Sequence, residues 1–133
     1  MKGIVDTGFL VAFANRRDRY HDWAVALAEQ VSDPLLTCEP VMAEASFHLQ
    51  NSWLVLAMVS DGLIWPALHV KDELPHLLEL AHRYRDRKPD LADLCVIRMS
   101  ELYPAYSVIT VDVTDFRVYR RNKRERIPII SPE

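Results

Sequence analysis

The sequence predicts an α/β sandwich built on a short, largely parallel sheet, and three observations carry that expectation. Short apolar runs alternate with longer segments of helical period from one end of the chain to the other. The 133 residues are enough for one ordinary domain and too few for two, and half of them are hydrophobic, so a core can be buried without disulfides or a structural metal. No internal repeat, low-complexity tract or linker interrupts the pattern, so a single domain over residues 1–133 is expected.

Gly3-Ile4-Val5 is an apolar run closed by Asp6 and reads as the first strand. Residues 7–13 follow as a short helix, with Asp6 or Thr7 as its N-cap. Across 20–31, Trp23, Ala24, Leu27, Ala28 and Val31 recur with helical period on one face. Asp33-Pro34 signals a turn, and Leu35-Leu36 a second strand. Glu39-Pro40 then opens a long helix, proline being tolerated in a first turn, with Val41, Ala45, His48, Leu49 and Trp53 expected on one face. Asp61-Gly62 breaks the chain before a short strand at Leu63-Ile64-Trp65. Residues 72–84 are helical by the period of Leu74, Leu77, Leu78 and Ala81, with Pro75 in the first turn. After the polar connector 85–89, Asp90 begins an almost wholly apolar helix to Leu102, the signature of a central, buried helix. Residues 107–110 form a strand leading to Asp112, and 127–130 a last strand whose Pro128 suits an edge or a strand start.

The net charge of −3 gives no global basic field. Basic residues are nevertheless clustered. The stretch 117–126 carries six of them against one acid, with smaller groups at Arg16, Arg17, Arg19 and at Arg83, Arg85, Arg87, Lys88. Each reads first as a solvated surface, and the first as a candidate grip on a phosphate backbone. Cys38 and Cys95 are distant in sequence and belong to no C-x-x-C unit, so buried free thiols in a reducing cytoplasm are expected. The apolar run after Lys2 imitates a leader, but Asp6 interrupts it and no small-residue cleavage site precedes Asn15-Arg16-Arg17, so no export signal is read. No segment approaches the ~20 apolar residues of a membrane span.

Function is read from the acids. In open parallel sheets ligands sit beyond the carboxyl ends of the strands. Asp6 and Asp112 each follow a strand, Glu44 lies about a turn inside the helix after the second strand, and Asp93 is in the first turn of the central helix. All four are expected at one edge. Hard oxygen ligands of this type suit Mg²⁺ or Mn²⁺, which can activate water against a phosphodiester. Without metal, clustered carboxylates repel one another and raise their proton affinity. Each acid also has a plainer role: Asp6 and Asp90 as helix caps, Asp93 as part of a capping arrangement, Asp112 and Asp115 as turn residues, Glu44 as a surface glutamate. Thr7 and Thr110, beside these acids, either hold a ligand water or satisfy backbone. His21 and His48 read as packing or surface residues, and Ser46 has no histidine–acid partner for a hydrolase triad.

Four segments sharpen the reading: Ile4-Val-Asp-Thr-Gly-Phe-Leu-Val-Ala-Phe, Thr37-Cys-Glu-Pro-Val-Met-Ala-Glu-Ala-Ser, Asp90-Leu-Ala-Asp-Leu-Cys-Val-Ile and Ile109-Thr-Val-Asp-Val-Thr-Asp-Phe. In this order they resemble PIN-domain proteins, especially the toxin halves of bacterial VapBC toxin–antitoxin pairs. Arg19-Tyr-His-Asp-Trp and Ile129-Ile-Ser-Pro132 extend the likeness over essentially the whole chain. The resemblance implies a three-layer α/β/α sandwich, Mg²⁺- or Mn²⁺-dependent cleavage of RNA, a homodimer, and neutralisation by a small antitoxin protein. It maps the catalytic and metal-binding acids onto Asp6, Glu44, Asp93 and Asp112, with Asp90 and Asp115 as further acids nearby. Small residues often follow the third acid in the family, where this chain has Leu94-Cys95.

Two other functions remain open on the sequence. A PIN-like module could bind RNA or a partner without cutting, although it would not need four acids. A Mg²⁺-binding receiver-type signalling domain would need an acid pair at the first strand and a lysine after a late one, and the chain offers Asp6 alone and Val113-Thr114. The RNA target and the number of metal ions are not encoded in any recognisable motif.

Overall fold

Strands form here where three consecutive residues can be buried on both faces, the mark of a parallel sheet covered by helices on either side. Gly3–Val5 (β1) and Leu35–Thr37 (β2) are buried throughout, and Ser107–Ile109 (β4) nearly so. Ile64–Pro66 (β3) and Ile129–Ile130 (β7) are the less buried edges. In the computed structural model, which describes residues 1–132, these strands make one sheet in the order β3-β2-β1-β4-β7, parallel at every pairing. Pro128 lies just before the edge strand, where its carbonyl accepts the Val108 N–H at 2.8 Å.

From β1 the chain steps outward to β2 and β3, then returns across the sheet to β4 on the other side of β1. Right-handed crossovers in opposite directions place helices on opposite faces, giving an α/β/α sandwich. Thr7–Ala14 (α1), His21–Glu29 (α2), Glu39–Leu49 (α3) and Ser52–Ser60 (α4) belong to the outward steps; Leu74–Arg83 (α5) and Leu91–Leu102 (α6) belong to the return. α6 packs on β1 and β4, with Ala92, Leu94, Cys95, Val96, Ile97, Met99 and Ser100 all buried, as its apolar sequence requires. The point where strand order reverses lies between β1 and β4, the place where such sheets leave a crevice.

Three elements differ from expectation. The long helix after Glu39 is two helices: Gln50 takes a left-handed conformation at φ 52, and Asn51 caps the restart by accepting the Leu54 N–H at 3.1 Å. The face therefore holds at Val41, Ala45 and Leu49, whereas His48 is exposed and Trp53 stands 73% exposed on α4. α5 begins only at Leu74, after a 3-10 turn over Val70–Glu73, and its expected stripe holds at Leu77 and Ala81 alone. Leu77 and Leu80 face the core while Leu74 and Leu78 are exposed. The basic stretch after Val113–Val118 (α7) folds into a small antiparallel hairpin of Arg120–Arg121 (β5) and Glu125–Arg126 (β6), with Asn122 and Lys123 left-handed at its turn. No helix among the described residues is long and apolar enough to cross a membrane.

Candidate functional site

Asp6 closes β1 and opens α1, so its carboxylate is fixed before any ligand arrives. It accepts the Phe9 N–H at 3.0 Å as a helix cap, and its other oxygen accepts the Thr110 hydroxyl. Thr110, at the end of β4, also accepts the Asp112 N–H at 2.9 Å. One buried hydroxyl thus ties together the carboxyl ends of the two central strands. Gly8 permits the closeness: a Cβ there would stand 2.6 Å from the Val111 side chain, inside contact distance.

The other acids arrive on helices. Glu44, one turn into α3, is held by the Thr7 hydroxyl. Asp90 caps α6 by accepting the Asp93 N–H at 2.8 Å, leaving Asp93 one turn inside. The Tyr119 hydroxyl, from the end of α7, lies 3.5 Å from the Asp93 carboxylate as a donor. Asp112 is exposed and caps α7 with no side-chain bond, so its carboxylate is free to turn. Asp115 pairs with Arg87 at 3.4 Å.

Asp6, Glu44, Asp90, Asp93, Asp112 and Asp115 line one cavity of about 180 Å³, with no basic residue among the described residues of its wall. The imbalance shows in proton affinity. Burial, reinforced by Asp112, pushes the Asp6 carboxyl up to about 6 against the lowering effect of its two hydrogen bonds. Burial and then the charges of Asp90, Asp115, Asp6 and Glu44 push Asp93 up to about 7. Glu44 is raised too, by burial first and Asp90 second. A fold that needed these residues only for stability would not leave them so poorly compensated.

The family model for the PIN domain matches residues 3–122. The chain belongs to the PIN-domain family. No curated protein matches it significantly. PIN domains are typically nucleases, which act on nucleic acids and generally use divalent metals. The acid cavity at the sheet's reversal point suits such a metal in donor chemistry, its acids supplying oxygen donors and only Asp115 among them being ion-paired. The side chains are not drawn into a finished chelate: among the described residues no group of three acidic, histidine or cysteine side chains is disposed to hold an ion as it stands.

Sequence reasoning missed two features. Tyr119, buried between Tyr84 and Phe116 at ring distances of 5.0 and 5.6 Å, sits under Asp93. Its only sequence signal is an aromatic among arginines. Cys38 and Cys95, distant in sequence, are both free and buried as expected, yet hydrogen-bond to each other where α3 meets α6. This contact, and burial after it, raise the Cys38 thiol. Thr7 and Thr110 have their hydroxyls engaged by Glu44 and Asp6, and His21 bonds the Ala12 carbonyl at 2.8 Å, a packing role.

The basic stretch is not uniform either. Arg121 is buried at 6% exposure, donating to the carbonyls of Ser100 and Pro104 and pairing with Glu125. It is a structural residue and is withdrawn from any role in gripping a ligand.

Proposed function

We propose that this single-domain protein, residues 1–133, is a Mg²⁺- or Mn²⁺-dependent endoribonuclease in which Asp6, Glu44, Asp93 and Asp112 are the metal-binding and catalytic acids. The observation that carries the reading is the set of carboxylates sharing one cavity without a cation in its wall, two of them pushed by burial and by their neighbours well above the usual carboxylate range. A bound divalent ion would supply positive charge against the attacked phosphodiester and make water more acidic. The protein's own part is positioning. Phe9 and Thr110 fix Asp6, Thr7 steadies Glu44, a rigid helix and Tyr119 place Asp93, and Asp112 stays free to close on the ligand.

The test is cleavage of RNA by purified protein with Mg²⁺ or Mn²⁺, abolished by EDTA and restored by metal. Undiminished cleavage in EDTA would overturn the mechanism. A PIN-like module that binds without cutting draws support from the absence of a finished chelate. It predicts RNA binding with no cleavage under any metal.

The proposal extends to biology: the toxin half of a type II toxin–antitoxin pair, a cytoplasmic homodimer that binds a small antitoxin. Its support is exposed apolar side chains on either side of the junction of α3 and α4: Phe47, 77% exposed, on α3, and Trp53 and Leu56 on α4. The acid cavity would also attract a guanidinium from an antitoxin as it attracts a metal. Sedimentation that shows only monomer at micromolar concentration, with no partner recovered from cells, would remove this extension and leave the nuclease reading intact.

A further inference from the structure

A second cavity, of about 400 Å³, lies between α7 and the hairpin, lined by Phe116, Arg117, Arg120, Arg126, Ile127 and Ile129. We propose that it is a phosphate-binding subsite, which holds the phosphodiester flanking the scissile bond of a single-stranded RNA. The inference rests on the nuclease reading above and assigns part of the substrate grip to three named arginines.

The chemistry of the wall is one-sided. Arg117, Arg120 and Arg126 line the space beside Phe116 and Ile127, which are buried, and no acid lines it among the described residues. Arg117 and Arg126 form no ion pair among the described residues, in contrast to Arg83, Arg87, Arg98 and Arg121, each of which has a carboxylate partner. Glu125, the acid of the hairpin, is taken by Arg121 on the opposite face.

Register makes the imbalance sharper. Arg120 and Arg126 are direct cross-strand partners in an antiparallel pair, so their side chains leave the hairpin on the same face. Like charges placed directly opposite destabilise a strand pair. The free protein carries that repulsion over an apolar floor, and an anion between the two would relieve it. Arg120 is also held in place: its Nη1 donates to the carbonyls of Arg117, Val118 and Tyr119 at 2.6, 3.3 and 3.2 Å. A guanidinium fixed by one nitrogen presents its others in a set direction, which suits a phosphate better than a diffuse surface charge does.

Position selects the ligand. Asp112 and Asp115 line the acid cavity, and Phe116 and Arg117, next along α7, line the basic one. The two cavities thus share α7, whose six residues span about 9 Å, and the proposed path of the strand runs along this helix from the acid cavity to the arginines. The hairpin adds no exposed aromatic to the cavity, so the grip is on backbone and carries no base preference.

The experiment measures binding without cleavage. Affinity of a labelled single-stranded RNA is followed by fluorescence anisotropy in EDTA across a salt series. The proteins are wild type, Arg117→Gln/Arg126→Gln, and Arg16→Gln/Arg17→Gln as a control from another exposed basic cluster. The cavity variant should bind about tenfold more weakly, and its salt slope should fall by about 1.4 for two lost contacts to a single strand. Melting temperature of the cavity variant should hold or rise, because Arg126 no longer faces Arg120.

Wild-type affinity and slope in the cavity variant would overturn the proposal. So would an equal loss in the control, which would mean a diffuse field. A loss of affinity for an acidic peptide with RNA binding intact would make the cavity a peptide site and overturn it equally. These outcomes are independent of whether the protein cuts: absence of cleavage with metal, with the RNA-binding differences present, would fault the nuclease reading and leave the subsite standing.

Discussion

The two ends of α6 handle charge in opposite ways. Near its C-terminal end Arg98 bonds Glu73 at 2.6 Å and Glu101 at 3.1 Å, and Glu101 also accepts the Asn122 N–H at 2.6 Å. Every strong charge there has an opposite or a donor. At the N-terminal end Asp93 is desolvated among four other acids and is raised to about 7. The same helix therefore carries one network that fastens α5 and the hairpin to the core, and one cluster that costs stability until something positive binds. The difference teaches where to look for function: at charge that the fold concentrates without compensating.

Substitution at Asp93 should separate the two ends most strongly. Asp93→Asn is expected to lower RNA cleavage on the order of 10³-fold, with melting temperature unchanged or raised, because a repelled charge is removed. A variant that cuts normally would take Asp93 out of the site.

The pH dependence of metal-free stability comes next. Asp6 and Asp93 hold their protons more tightly in the fold than at their ordinary value of 3.8. The folded state therefore binds more protons, and stability is lost as pH rises from about 4 through about 7. The loss should be about 2–3 kcal/mol, most of it from buried Asp6, since the more exposed Asp93 is screened by solvent. Urea unfolding at several pH values measures the loss, and comparison of wild type with Asp93→Asn separates the smaller share due to Asp93. Mg²⁺ should flatten the wild-type curve. A wild type that gains stability over this interval relative to the variant would show that the acids are not strained.

At the balanced end, Arg98→Met should cost about 1–2 kcal/mol, since the network is partly solvated, and leave cleavage within a few-fold of wild type. Thermal unfolding and a cleavage assay on one preparation check both. Loss of cleavage without loss of stability would couple the two ends and break the contrast.

The smallest effect is expected at Asp90. Asparagine caps a helix nearly as well as aspartate, so Asp90→Asn should change stability by a few tenths of a kcal/mol and retain substantial cleavage. Its loss of charge should show as a modestly higher metal concentration for half-maximal rate. A dead Asp90→Asn beside an active Asp93→Asn would reverse the assignment of the third acid.

What the sequence made legible was local or periodic. β1 and α6 could be read because β1 is an apolar run closed by Asp6 and α6 an almost wholly apolar one opened by Asp90, both acids acting as helix caps. The convergence of Asp6, Glu44, Asp93 and Asp112 on one cavity followed from a general property of parallel sheets, that chains leave and helices begin at the same edge. What stayed hidden needed tertiary context. Gln50 breaks α3 without a glycine or proline to announce it. The exposure of Leu74 and Leu78 depends on what covers α5 and not on its period. β5 and β6 have no apolar alternation, being joined through arginines and a glutamate. Tyr119 and the Cys38–Cys95 contact exist only between residues far apart in the chain.

The bond between Thr110 and Asp6 spans 104 positions, from the end of β1 to the end of β4. During synthesis β1 emerges before β4 and waits as a half-paired strand until β4 fills its other side. Asp112 and Asp115 come later still. A nascent chain is therefore denied the complete cavity until β4 and α7 have emerged, and contacts of such long range are the slow ones to form. The topology thus times the assembly of the acids: Asp6 is made first, and the cavity is complete only once Asp112 and Asp115 have followed β4.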